Sequence, residues 1–304
     1  MNDLEFAVPV GDWAESGIDW LVDVAGGFFD AVSFVFEWLY KLLYEVLAWP
    51  PNWAFILGVA VLAFFVRGWR LATGAILGLA FIIAVDQWDN AMRTLALVLV
   101  ASGIAVVIAV PLGIWAARSD TVSRAIRPVL DFFQTMPAMV YLVPAIILFG
   151  TGVVPGIFAT IIFALAPGVR MTELGIRGVD DEVVEAARAF GSTEGRVLRQ
   201  VQLPLALPSI MAGVNQVIML SLSMVVIAGM VGASGLGQQV NYALGSINLG
   251  LGFEAGVSVV VLAMLLDRFT GAVGKRRKRR PKDTSADASA EAETAEAEPQ
   301  PTAA

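Results

Sequence analysis

The chain has 304 residues, of which 57% are hydrophobic and 15% charged, with a mean hydropathy of +0.73; soluble domains use about 45–50% apolar residues, so this is an integral membrane protein. It contains neither Cys nor His, which removes disulfides, thiolate and imidazole metal sites, and His-based triads or proton relays. The net charge of −7 conceals a basic body, because residues 31–280 hold 14 acids against 19 bases while both ends are acidic, a pattern that fits charge sorted by membrane side and gives no reason to expect a nucleic-acid partner.

Residues 1–27 carry Asp3, Glu5, Asp12, Glu15, Asp19 and Asp23 and no base, and are read as an acidic extracytoplasmic segment. Without a positive n-region they do not resemble a cleaved signal peptide. Residues 28–51 follow, in which Asp30, Ser33, Glu37, Tyr40, Lys41, Tyr44 and Glu45 recur every three or four positions on an otherwise apolar helix. That single polar stripe suits an amphipathic helix lying in the membrane interface; the alternative is an eighth span with its stripe packed inward.

A hydrocarbon core of ~30 Å needs about 20 apolar residues per helix. Seven spans are predicted: Trp53–Val66, Trp69–Val85, Ala91–Ala117, Val129–Gly150, Val153–Met171, Pro208–Val231 and Gly252–Phe269. The fold class is thus an all-α polytopic bundle, its permeation domain occupying residues 52–274. Arg67 and Arg70 follow the first span, Arg118, Arg124 and Arg127 the third, Arg177, Arg188, Arg196 and Arg199 the fifth, and Lys275–Arg280 the last. The opposite connections hold Asp86, Asp89 and the uncharged VGASGLGQQVNYALGSINLG. The positive-inside rule therefore puts the N-terminus outside, and the C-terminus and the polar segment 180–204 in the cytoplasm. Residues 275–304, basic and then acidic and low in complexity, are expected to be a disordered cytoplasmic tail.

The segment 180–204 interrupts the apolar spans. Asp180 and Asp181 can cap a helix beginning near Glu182, Gly191 can end it in a left-handed turn, and Ser192 or Thr193 can cap a second helix that Pro204 ends. Val183, Val184, Ala187 and Phe190 are assigned to one side, with Glu182, Glu185 and Arg188 opposite. Such a helix suits a partner's groove, although a solvated loop with incidental helicity has the same composition. Glu185-Ala186-Ala187, three residues, Gly191, nine residues and Val201-Gln202-Leu203-Pro204 resemble the EAA-x3-G-x9-I-x-L-P signature of binding-protein-dependent ABC importer permeases, with Val for Ile. The segments from Gln134 to Val179 and from Leu203 to Gly237 resemble the glycine betaine/proline (quaternary amine) branch, over approximately residues 90–270.

The resemblance implies a five-helix permease core and a coupling role for Glu185, Ala186, Ala187, Gly191, Leu203 and Pro204, seated on a cytoplasmic ATP-binding subunit. It further implies two ATP-binding subunits, a second permease copy and an extracytoplasmic solute-binding protein, with glycine betaine, proline or a related solute as cargo. No G-x4-G-K-[ST] motif occurs, since GSTEGR at Gly191 and GAVGK at Gly271 lack its spacing, so no nucleotide or other cofactor is expected on this chain and ATP hydrolysis is assigned to another subunit. An amino-acid permease is the nearer alternative, and an ion-coupled carrier the more distant one. Asp131 and Asp267 fall near span ends and only Glu254 is arguably immersed, which leaves no proton path. Ser221 and Ser223 read as packing residues, Asn215 and Gln216 as interhelical hydrogen-bonding residues, and Phe132, Phe133 and Tyr141 as packing aromatics. Pro111, Gly113, Pro137, Pro144, Pro167 and Gly168 are expected to kink or pack helices.

Overall fold

The computed structural model describes residues 10–274, which are helical with no strand among them. In chain order the helices are α1 (Val10–Ala48), α2 (Asn52–Arg67), α3 (Trp69–Ala84), α4 (Trp88–Arg118), α5 (Asp120–Thr135), a 3-10 turn (Ala138–Tyr141), α6 (Leu142–Phe149), α7 (Val153–Arg177), α8 (Asp181–Ala189) and α9 (Glu194–Val197). A π-helical turn (Leu198–Gln202) then leads into α10 (Leu203–Met230), followed by α11 (Leu236–Gly245) and α12 (Leu249–Gly274). Among the described residues four helices are long and apolar enough to cross a membrane, or up to six if each of two bent pairs is one span, and α3 is a shorter apolar helix of 16 residues. The expected basic run and acidic tail from residue 275, and the first nine residues, lie outside the described residues.

The centre is α7, flanked by α4 and α10. Small residues let these helices approach. A β-carbon on Gly113 of α4 would lie 2.5 Å from the Thr172 side chain of α7, and one on Gly168 of α7 would lie 2.8 Å from Ala109. The packing reading of these two glycines therefore holds, and Pro111 and Pro167 sit inside continuous helices around them. In the absence of water, close van der Waals packing of this kind is what holds membrane helices together. α7 also runs six residues beyond the expected span end at Met171, to Arg177.

Two expectations need correction. The predicted span Val129–Gly150 is broken: α5 and the following helical segment meet at 106°. Pro137 lacks an amide proton and drives Met136 into extended backbone (φ −66, ψ 134), so the helix stops there. The carbonyl of Phe133, which an unbroken helix would bond to residue 137, instead accepts the Tyr141 hydroxyl. In the second case, α1 starts at Val10, so the expected boundary between residues 27 and 28 falls inside it, just past a kink at Ala25 (φ −117, ψ 15).

The predicted polar stripe of α1 also divides. Tyr40 is buried (8% exposed) and packs with Phe36, Leu39, Leu43, Tyr44 and Leu47 against Leu97, Val98 and Ala101 of α4. Tyr44 donates to Asp89, Arg93 Nη2 donates to the Tyr44 hydroxyl at 3.2 Å, and the guanidinium lies 4.6 Å from the Tyr44 ring centroid. Lys41 and Glu37 remain outside as an exposed pair at 2.7 Å. The helix is thus docked on the bundle through its aromatics rather than lying free of it.

On the far side, α2 and α3 fold back on one another at Gly68 (φ +84), and α3 meets α12 where Gly78 leaves room for Val261. The short α11 dips back between α4, α10 and α12: the Leu236 amide donates to Thr94 Oγ1 at 2.8 Å, and Asn241 Nδ2 donates to the Val226 carbonyl at 2.6 Å.

Candidate functional site

The polar segment forms the helix expected of it. Asp180 caps α8 by accepting the Glu182 amide at 3.0 Å. At the other end Gly191 (φ +79) turns the chain, its amide donating to Arg188 O at 2.8 Å and that of Ser192 to Ala187 O at 3.2 Å. This paired closure needs a left-handed residue at its centre, and an L side chain there is strained by about 1–2 kcal/mol. Arg188 then spans the turn, its Nε and Nη2 donating to the two Glu194 carboxylate oxygens at 2.9 and 3.1 Å. This bond holds the Arg188 guanidinium even more firmly protonated than usual. Thr193 takes the capping position of α9, but only its backbone carbonyl accepts, from Arg196 and Val197.

Pro204 does not end the second helix as expected. α9, the π turn and α10 form one 37-residue rod from Glu194 to Met230, about 55 Å long at the usual rise. The Leu203 amide bonds Leu198 O, five residues back, and this wider turn moves the preceding carbonyls away from the proline ring.

The inner side of the insert is seated on the bundle. Val184 (5% exposed) and half-buried Ala187 join Ile176 of α7 and Val179 just after it, Val197, Leu198 and Leu203 on the rod, and Ile114 and Ala117 of α4. Burying a side chain such as Val184 or Leu198 contributes about 1.5–3 kcal/mol. The outer side carries Glu182, Glu185 and Ala186, and Phe190 is 91% exposed. The expected apolar side is therefore divided, with Val184 and Ala187 inward, and Val183 and Phe190 outward. Of the candidate residues, Glu185 and Ala186 face out, Gly191 forms the turn, Ala187 and Leu203 lie against the seat, and Pro204 is half-buried at the start of α10.

Beside the seat is an ionic cluster that the sequence reading missed. The carboxylate of Glu173, a residue 7% exposed on α7, accepts Ser123 Oγ at 2.7 Å and Arg127 Nη2 at 3.1 Å from α5, and pairs with Arg177 Nε at 3.1 Å. Arg177 also pairs with Asp120 at 2.8 Å and donates to Ala116 O at 2.8 Å, while Arg170 pairs with Asp131. These bonds tie the start of α5 to the end of α7. The available signal was the i,i+4 pair Glu173 and Arg177 at the end of an apolar run.

Elsewhere, Asn215 Nδ2 donates to Asp267 at 3.0 Å and its carbonyl oxygen accepts from Thr270, the interhelical bonding expected of it. Gln216 is exposed and has no such bond among the described residues. Ser221 and Ser223 donate to carbonyls four residues back in their own helix. Phe133 and Tyr141 pack edge to face with centroids 6.2 Å apart, whereas Phe132 is exposed.

A family described as "Binding-protein-dependent transport system inner membrane component" matches residues 109–279. The chain is 46% identical over 282 residues to the glycine betaine/carnitine transport permease protein GbuB of Listeria monocytogenes, covering 89% of this chain and 97% of that one. It is 45% identical over 273 residues to the glycine betaine/proline betaine transport system permease protein ProW of Escherichia coli, covering 90% and 77%. Among solved structures, an inward-facing MetNI methionine ABC transporter aligns with a TM-score of 0.56 at 25% identity, covering 62% of this chain and 96% of that chain. A family match over more than half of the sequence, joined to near full-length relatives and a shared helical fold, makes this chain a multi-pass inner-membrane component of the binding-protein-dependent transport systems.

Proposed function

We propose that the chain is the membrane-spanning permease of an ATP-driven importer of compatible solutes, glycine betaine, proline or a related quaternary amine, serving osmoprotection. The names of the relatives support this substrate class, and few charges line the spans, which suits a zwitterion. ATP hydrolysis is assigned to a separate cytoplasmic subunit present in two copies, which works with two copies of this chain and an extracytoplasmic solute-binding protein. The N-terminus is outside and the C-terminus cytoplasmic; the transport core is residues 90–270 and the coupling loop 180–204.

The observation that carries this reading is the seat of α8. Its outer side, with Glu185, Ala186 and Phe190, is open to a partner, while Val184 and Ala187 rest on the ends of α4, α7 and α10. A push on the outer side therefore reaches three bundle helices directly. Glu185, Ala186 and Gly191 serve the contact with the partner and its shape; Ala187 and Leu203 serve the seat, and Pro204 the start of α10 that carries it. Closure of the ATP-binding subunits would move this element and switch the pathway between outward and inward access.

The test is uptake of labelled glycine betaine by the complete reconstituted system. Uptake is expected to need the ATP-binding subunit and the binding protein, and to be competed by unlabelled betaine. Competition by methionine or a sugar with no response to betaine would reject the substrate class, and ATP hydrolysis by the isolated chain would reject the division of labour.

A further inference from the structure

At the α2–α3 turn, Arg67 and Arg70 converge with Arg268 of α12 on an open cleft of about 370 Å³, lined otherwise only by Leu71. All three arginines are exposed, and among the described residues none forms an ion pair or a side-chain hydrogen bond. The acid next to Arg268 in the chain, Asp267, is engaged by Asn215 of α10 instead. Three guanidiniums sharing one cleft without a carboxylate repel one another unless an anion joins them, and their planar forks match the oxygens of a phosphate.

The surroundings select what kind of anion. Trp69, between the two turn arginines, is 65% exposed, while Trp49 and Trp53, also exposed, mark the opposite end of the α2–α3 hairpin, as expected of aromatics at the two membrane–water interfaces. Leading away from the cleft, α2 and α3 present Leu62, Phe64, Phe65 and Leu77, all more than half exposed. A charged cleft at headgroup depth that continues into an uncovered apolar surface fits an amphiphile. We propose that Arg67, Arg70 and Arg268 form a specific site for the phosphodiester headgroup of an anionic phospholipid, whose acyl chains lie along α2 and α3. The site shares no residue with the α8 seat; its assignment to the cytoplasmic leaflet rests on the orientation proposed above.

The test uses the purified full chain in nanodiscs of mixed phosphatidylglycerol and phosphatidylcholine, scored for lipid retained on extraction into detergent. Wild-type protein is expected to retain phosphatidylglycerol over phosphatidylcholine by about tenfold or more, the range that several basic groups at a membrane surface supply. The combined Arg67→Gln, Arg70→Gln and Arg268→Gln substitution is expected to bring that ratio near one, whereas glutamine throughout Lys275–Arg280 leaves it within about twofold of wild type, since diffuse attraction does not fix a lipid. Phosphatidylglycerol with a photoreactive headgroup, applied to wild-type protein, should label the Arg67–Leu71 stretch. An unchanged ratio in the triple variant, or labelling elsewhere, overturns the site. Displacement of the lipid by millimolar inorganic phosphate would overturn the lipid assignment in favour of a free anion.

Discussion

Two prolines, Pro137 and Pro204, meet helical backbone in opposite ways. At Pro137 the chain bends by 106° and the carbonyl left over, that of Phe133, is taken by the Tyr141 hydroxyl. At Pro204 the helix continues, because a turn widened to five residues lets Leu203 bond Leu198 O. A proline removes one donor and crowds one carbonyl in both cases; what decides the outcome is where the freed backbone finds its next partner. A side chain supplies it at the first, leaving two short helical pieces joined at an angle through Phe133 and Tyr141. A change of register supplies it at the second, leaving a rod that connects the polar insert to the middle of the bundle.

If the rod matters as a rod, the largest effect should come from its phase. Deleting Leu205, an exposed residue in the regular helix just past the wide turn, rotates α8 and α9 by about 100° relative to the rest of α10, pulling Val184 and Val197 from their shared seat. Betaine uptake by the reconstituted complex should fall to background, with normal amounts of protein in the membrane by immunoblot; retention of half the uptake would mean that the phase of the rod is immaterial. Gly191→Leu is expected to act next most strongly, at the head of the rod. The strain of about 1–2 kcal/mol at positive φ reduces the closed turn relative to its open forms by about five- to thirtyfold. Uptake should drop accordingly while thermal stability of the purified chain stays near wild type, and wild-type uptake would show that the turn has no part in transport.

At the bent proline the exposed cost lies with the carbonyl. Tyr141→Phe removes its donor in a part-buried setting and should destabilise the chain by about 1–2 kcal/mol in detergent unfolding; no change would mean that water supplies the partner. The smallest effect is expected from Pro204→Ala. A proline within a regular helix is worse than alanine by ~3 kcal/mol, but the wide turn already relieves that clash, so the gain should stay below about 1 kcal/mol with uptake within about twofold of wild type. A gain near the full value would show that the register shift relieves nothing.

Hydrophobic length and the sidedness of the arginines were enough to read the helical class and most helix positions, since both follow from the bilayer alone. Asp180 and Gly191 announced α8 because capping and positive φ are local requirements. What the sequence could not supply was the result of competition between neighbours. Nothing local to Pro137 says that Tyr141 will accept the task of satisfying Phe133, nor does anything local to Pro204 say that the register will shift. The split between Val184 and Phe190 depends on where α4 and α7 end. The burial of Tyr40 similarly needed α4 opposite it, and Glu173 became a hub only once α5 had turned to bring Ser123 and Arg127 alongside.

The clasp between α1 and α4 also bears on the order in which the protein is made. Tyr44 and Asp89 are 45 residues apart, so at a synthesis rate of ~5–20 residues per second roughly 2–9 s pass between the making of one and of the other. Through that interval the apolar side of α1, with Phe36, Leu39, Leu43 and Leu47, has no α4 to cover it. Lipid is the solvent at hand for such a surface until α4 has been made. Docking on the bundle is a later step in biogenesis, timed by the arrival of Asp89 and Arg93.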